Sequence, residues 1–215
     1  MLDNIFRILW SIPAILIAIT IHEYSHARIA YHLGDRTAAE VGRLTLNPLA
    51  HLDPVGTLML LLFRFGWAKP VPVNFDNLNF PRRDMIYVSM AGPVANILMA
   101  IIFSIILKIS DFFSKYLVIF QNKIFFNLFL TFFRGWLIFL QTGILINLTL
   151  ALFNLIPFPP LDGSKILRGL LPDAQFLKYD RLESYGSIIL LILVLSGIIG
   201  KILFPLVYFL FRLLV

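Results

Sequence analysis

The chain contains no cysteine. That removes any thiolate metal site, any cysteine nucleophile and any disulfide framework. Charge is scarce as well: Asp, Glu, Lys and Arg make up 14% of the 215 residues, against about 25% in ordinary soluble domains. With so little polar surface a folded chain of this size could not be covered in water. No run of like charge occurs, so the net charge of +6 is not the footprint of a basic nucleic-acid surface, and nucleic acid is not an expected partner. There is no internal repeat and no low-complexity tract.

What the chain has instead is apolar residues, 59% of the total, with 21 Phe among them. Its class is integral membrane protein, with the lipid bilayer as its surroundings. A crossing takes about 20 residues, so the expected fold is an all-α polytopic membrane protein of about four to six transmembrane segments. Residues 1–215 are expected to form a single membrane-embedded domain, with no room for a separate soluble one.

Core spans are expected over about 5–33, 84–108 and 134–156. No small-x-small cleavage site follows the apolar run Ile8–Ile21, so the first span reads as a retained helix rather than a signal peptide. Val41–Leu46 alternates and reads as a short strand or hairpin. Val55–Phe65 is too short to cross and reads as a re-entrant or interfacial piece. The segment from Trp67 to Arg83, with its three prolines, reads as an irregular loop. Lys108–Lys123 reads as an amphipathic connector and Ile124–Phe133 as an interfacial helix. Pro157–Glu183 reads as a loop with one helical turn around Ser164–Leu171. The C-terminal apolar stretch 184–215, interrupted by Gly200-Lys201 and Pro205, is either one span plus an interfacial helix or two short spans. With the N-terminus outside, ten Lys and Arg fall on the inner loops 34–84 and 157–183 and five on the outer side, which the positive-inside rule favours.

The chemistry concentrates in the first span. His22, Glu23 and His26 form H-E-x-x-H. Residues four apart on a helix differ by about 40° around its axis, so both imidazoles face one way and can share one tetrahedral Zn²⁺. Glu23 then stands where it can take a proton from the attacking water. Ionisable residues inside a span cost a few kcal/mol each on insertion scales and usually serve function. A catalytic zinc needs a third protein ligand, and four residues are candidates. His32 has the spacing of a third histidine in soluble metalloproteases, but Ile29 stands where those have a glycine; on a continuing helix His32 lies about 9 Å along the axis from His26 and about 240° around it, facing away. His51 and Asp53 lie in a turn-rich loop. Asp162 follows Pro157, Pro159 and Pro160, which force an extended path, and precedes Gly163, which permits a close turn.

Three pieces together resemble the site-2 protease family of intramembrane zinc metalloproteases: His22-Glu23-Tyr-Ser-His26, Ala91-Gly92-Pro93-Val-Ala-Asn96, and Asn154-Leu-Ile-Pro157-Phe-Pro159-Pro-Leu161-Asp162-Gly163. They lie in the family's order and cover about two thirds of the chain. The resemblance implies His22, His26 and Asp162 as ligands of one Zn²⁺, Glu23 as general base and acid, and Asn154 and Asn96 as pocket residues near the substrate. It implies that residues 41–66 are the family's membrane-embedded hairpin, able to present an edge to a substrate strand. The chain looks like a compact prokaryotic member, without PDZ or CBS domains and without a span ahead of the metal helix. The function implied is hydrolysis of peptide bonds within or near transmembrane segments of membrane protein substrates, in the regulated proteolysis of such proteins. The expected setting is a prokaryotic cell membrane, with the active site toward the cytoplasm. Two rival classes are a membrane zinc-binding or zinc-transport protein and a catalytically silent binder of transmembrane segments. Transport predicts further His, Asp or Glu inside other spans, and the second and third spans offer Asn96, Gln141 and Asn147 but no His, Asp or Glu in their interiors. A silent binder is disfavoured by the presence of Glu23 beside all three implied ligands.

Overall fold

In a bilayer, backbone N–H and C=O groups find no water and must satisfy one another, so long apolar runs become long helices. The computed structural model describes residues 2–63, 66–114, 123–172 and 185–215. In chain order its helices are α1 (Leu2–His32), α2 (Thr37–Glu40), α3 (Pro54–Phe63), α4 (Pro81–Ser114), α5 (Lys123–Asn154), α6 (Asp162–Leu170), α7 (Tyr185–Leu195) and α8 (Ile198–Leu214). Within α1, α4 and α5 the stretches Asn4–His32, Pro81–Ser114 and Leu128–Asn154 are long and apolar enough to cross a membrane. α7 and α8 bend by 71° at their junction and together make a fourth crossing or a broken, re-entrant one. The chain is therefore an all-α, multi-pass membrane protein.

α1, α4 and α5 pack on one another, α8 packs on α5, and α6 lies on α4. Lipid tails are as apolar as leucine, so close packing rather than water exclusion holds such helices together, and small residues let backbones approach. Ala14, Ala18, Ala27 and Ala30 of α1 are fully buried accordingly. The apolar core joins α4, α5 and α8 through Ala100, Phe103, Leu107, Leu140, Ile144, Leu148, Leu203 and Val207.

The structure redraws several expected boundaries. The interfacial helix expected at Ile124–Phe133 is the beginning of α5, which passes through Arg134 without a break. A charge near the end of a span does not interrupt backbone bonding, because its long side chain reaches toward the interface. The strand expected at Val41–Leu46 is a set of turns. Among the described residues, strand pairing is limited to one antiparallel bridge, Leu52 to Ala68, extended by Lys69 N–H donating to the His51 carbonyl at 3.0 Å. The expected re-entrant piece is α3, at about 15 Å too short to cross. The C-terminal stretch breaks at Gly197, whose φ of +76° lies in the left-handed region, rather than at Gly200 or Pro205, both of which lie within α8. The connector residues 115–122 and the loop residues 173–184 lie outside the described residues.

Between α1 and α4 the chain is tied by one carboxylate. Asp35, 1% exposed, accepts from the Thr37 N–H at 3.1 Å and the Thr37 hydroxyl, from the Asn74 N–H at 2.9 Å and from Asn77 Nδ2 at 3.1 Å. It thereby pins residues 74–77 to the end of α1. Burial alone would raise its pKa, but the hydrogen bonds from Thr37, Asn74 and Asn77 overcome that and hold the carboxyl below its ordinary value. A folded pKa below the unfolded one means stability that is present above the unfolded value, about 3.9, and lost as pH falls through the folded one. Asp35→Ala is expected to cost about 2–4 kcal/mol, from charge-assisted bonds contributing about 1.5–3 kcal/mol each. Thermal unfolding in detergent checks this. The wild type should lose stability below about pH 4, and Asp35→Asn should flatten that loss.

Candidate metal centre

His22 and His26 lie one turn apart on α1, and their Nε2 atoms are 3.1 Å from each other. Asp162, the first residue of α6, brings Oδ2 to 3.2 Å from His22 Nε2 and 3.1 Å from His26 Nε2. A tetrahedral zinc with bonds of about 2.0 Å has donor-to-donor edges of about 3.3 Å. The three atoms match one face of that tetrahedron, leaving the fourth vertex for water or substrate. Two imidazole nitrogens and one carboxylate oxygen are a donor set suited to zinc.

The outer nitrogens decide which atoms carry protons. His26 Nδ1 lies 2.7 Å from the Val88 carbonyl, which can only accept, so Nδ1 is the protonated nitrogen. His22 Nδ1 lies 2.6 Å from Asn96 Oδ1. The Asn96 amide is oriented by its own donor group, which reaches the Ala18 carbonyl at 3.1 Å and Asn147 Oδ1 at 2.7 Å. Asn147 is oriented in turn by donating to the Gly143 carbonyl at 2.8 Å. The chain of donors leaves Asn96 Oδ1 as acceptor and His22 Nδ1 as donor. In the neutral rings both Nε2 atoms then carry lone pairs, and both face a buried carboxylate oxygen that receives no hydrogen bond. Three acceptors this close are stable only around a cation. A proton on one ring serves in part, and burial, which would raise the Asp162 pKa, is then outweighed by His26 and His22, which hold it well below the usual carboxylate range. A metal ion satisfies all three atoms at once.

Local sequence explains the closeness. Gly92 of α4 faces the two rings, and a Cβ there would come within 2.4 Å of His26 Nε2 and 2.6 Å of His22 Cε1. α5 ends at Asn154, and the prolines that follow keep it from continuing. Gly163 then lets α6 start against the end of α5: a Cβ would lie 2.4 Å from the Leu155 carbonyl oxygen.

Each other candidate has a distinct place. Glu23, half-buried, accepts from the Val71 backbone N–H through Oε2 at 2.8 Å. Asn154, half-buried at the end of α5, donates to the Leu150 carbonyl at 3.0 Å. Asn96 is fully buried against His22. Among the described residues, His22, His26 and Asp162 are the one group of three such side chains close enough to hold a metal. His32 is exposed at the end of α1. His51 Nε2 bonds the Thr45 carbonyl at 2.8 Å. Asp53 accepts from the Gly56 N–H at 2.7 Å, at the start of α3. Asn147, Val88 and Val71 join the site without a motif to announce them. Of these only Asn147 carries a sequence signal, as an amide inside an apolar span.

Residues 10–197 match the sequence model described as Peptidase family M50. Proteins similar to this chain carry names that begin "Putative zinc metalloprotease". YwhC of Bacillus subtilis is 39% identical over 191 residues, covering 89% of this chain and 82% of that protein. Rip2 of Mycolicibacterium smegmatis is 28% identical over 200 residues, covering 91% and 70%. The protein of that same name in Mycobacterium tuberculosis H37Rv is 29% identical over 204 residues, covering 92% and 71%. No solved structure matches the chain.

Gly92→Ala adds a methyl group where the imidazoles stand. It is expected to leave the helix content, read by circular dichroism, unchanged, and to weaken zinc binding by about 10–100-fold, as changes in the support of a metal site do. Zinc titration of the purified variant checks this.

Proposed function

The chain belongs to peptidase family M50, and from that premise we propose that this membrane zinc metalloprotease cleaves peptide bonds within or near the transmembrane segments of other membrane proteins. One observation carries the reading. The two histidines lie inside the candidate span Asn4–His32, and their outer nitrogens are held by Asn96 and Val88 of a second candidate span, α4, with Asn147 of the third bonded to Asn96. A site so placed meets membrane-inserted chains before it meets soluble ones.

In this reading His22, His26 and Asp162 hold the zinc, which when bound polarises the scissile carbonyl and makes water nucleophilic near neutral pH. Glu23 takes the proton of the attacking water and delivers it to the leaving amine. His22 and His26 keep their Nδ1 protons on Asn96 and Val88, so neither ring is free to serve as that base. Asn154 is proposed to help position the substrate backbone. A helical substrate hides its carbonyls in bonds to the next turn, so it must unwind locally before attack, and helix-breaking residues in it would help. The loop charges favour an orientation with the catalytic end of α1 toward the cytoplasm, and a prokaryotic cell membrane is the proposed setting. Zinc transport is less well supported: between residues 85 and 110 of α4, and between 128 and 153 of α5, there is no His, Asp or Glu to form a path.

The test compares wild type with Glu23→Gln and Asp162→Ala in lipid, on a panel of single-span proteins. Glu23→Gln is expected to keep one zinc per chain while cleavage falls by about 10²–10⁴-fold, the usual contribution of a general base. Asp162→Ala is expected to lower zinc occupancy. A zinc-loaded wild type that cuts no membrane protein would sink the proposal, as would cleavage indifferent to Glu23→Gln.

A further inference from the structure

Residues 68–74 lie against α1 as a strap, and their anchors are unusually well defined. Ala68 pairs with Leu52. Lys69 donates its N–H to the His51 carbonyl at 3.0 Å and accepts from Arg43 Nη2 at 2.7 Å. Beside the strap, the Trp67 carbonyl presses on Gly56, where a Cβ would come within 2.1 Å of the oxygen. At the far end Asn74 donates to Asp35, the carboxylate that ties this region to α1. Between the anchors the sequence is Lys69-Pro70-Val71-Pro72-Val73. Proline has a fixed φ and no N–H, and a residue before proline is confined to extended conformations. Lys69 and Val71 are both so confined, and from 69 to 72 they alone carry an N–H. The Lys69 N–H goes to His51. The Val71 N–H goes to Oε2 of Glu23.

We propose that this strap positions the catalytic carboxylate: the Val71 amide holds one oxygen of Glu23 so that the other is presented to the attacking water. The proposal rests on the reading of Glu23 as the general base. A glutamate has three side-chain torsions, and left free it would spend little time in one productive orientation. A main-chain donor suits the task because it cannot lose its proton and cannot swing away unless the backbone moves. It leaves Oε1 and the remaining lone pairs of the carboxylate open. Pro70 and Pro72 stiffen the segment on either side of the one amide that matters.

Val71→Pro removes the donor in an already extended, proline-flanked segment. Measured on the full chain in lipid, it is expected to lower kcat by about 10–100-fold, the scale of a misplacement near 1 Å, with KM and zinc content unchanged. Val71→Ala keeps the amide and is expected to recover the rate that Val71→Pro loses. A rise in KM with kcat unchanged would make the strap a substrate contact and overturn the proposal. A rise in kcat would make it a latch holding Glu23 back, with the same consequence. Equal losses in both variants would assign the effect to the side chain and also overturn it. A second measurement leaves the strap sequence intact: hydrogen exchange at the Val71 amide should speed up at least about tenfold in Glu23→Ala if that bond is its protection, and unchanged exchange overturns the proposal even where Val71→Pro does not fold. The general-base reading fails separately, if Glu23→Gln cleaves normally.

Discussion

Three lone-pair atoms held at 3.1–3.2 Å from one another, away from water, are a standing electrostatic demand. Water cannot relieve it, because His22, His26 and Asp162 are all buried. Neighbouring donors cannot relieve it either, since the N–H groups of the two rings are already committed on the outer side. What remains is a cation, and the placement of the helices around α1 follows from having to build and keep this arrangement. α4 must come close enough for Val88 and Asn96 to reach the rings, so it carries Gly92 at the crossing. α5 must end where α6 can begin beside the histidines, so prolines and Gly163 follow it.

The same demand explains the polar residues buried among the spans. In lipid an unsatisfied amide costs several kcal/mol, so Asn96 and Asn147 are tolerated only because each completes the other. Asn147 bonds the backbone of its own helix, Asn96 bonds Asn147 and the backbone of α1, and the one acceptor left over meets His22. The direction of every bond follows from carbonyls that can only accept. The pair therefore does more than join three helices: it selects the tautomer in which Nε2 of His22 is free for metal.

How much of this was legible in the sequence depended on the kind of interaction. H-E-x-x-H is a local pattern on one helix, and helix geometry alone brings its imidazoles together. Asp162 is 136 positions from His26; its place followed from the resemblance, while the prolines before it promised only a fixed, non-helical position. The three long spans were readable from hydropathy, but their ends were not: Arg134 reads as a boundary by charge, yet nothing there interrupts the backbone of α5. The alternation at Val41–Leu46 suggested a strand with no partner to pair it, and the chain turns there instead. The Val71 amide was out of reach altogether, because a backbone donor is the same in every residue but proline, and only its spatial neighbour gives it a role.

The site thus draws on two kinds of scaffold. The imidazoles are oriented from within the membrane, by amides and carbonyls of α1, α4 and α5, where nothing competes for their hydrogen bonds. The two carboxylates meet segments that do not span: Asp162 begins α6, and Glu23, although it stands on α1, accepts from the strap before α4. This division has a physical reason. An imidazole that is to bind a metal needs a fixed tautomer and gains from a dry, rigid setting, whereas a carboxylate has no tautomer to fix and can be placed from outside the spans. In the proposed mechanism Glu23 gains further from that placement, because a group that passes protons needs access to water and room for the reacting chain.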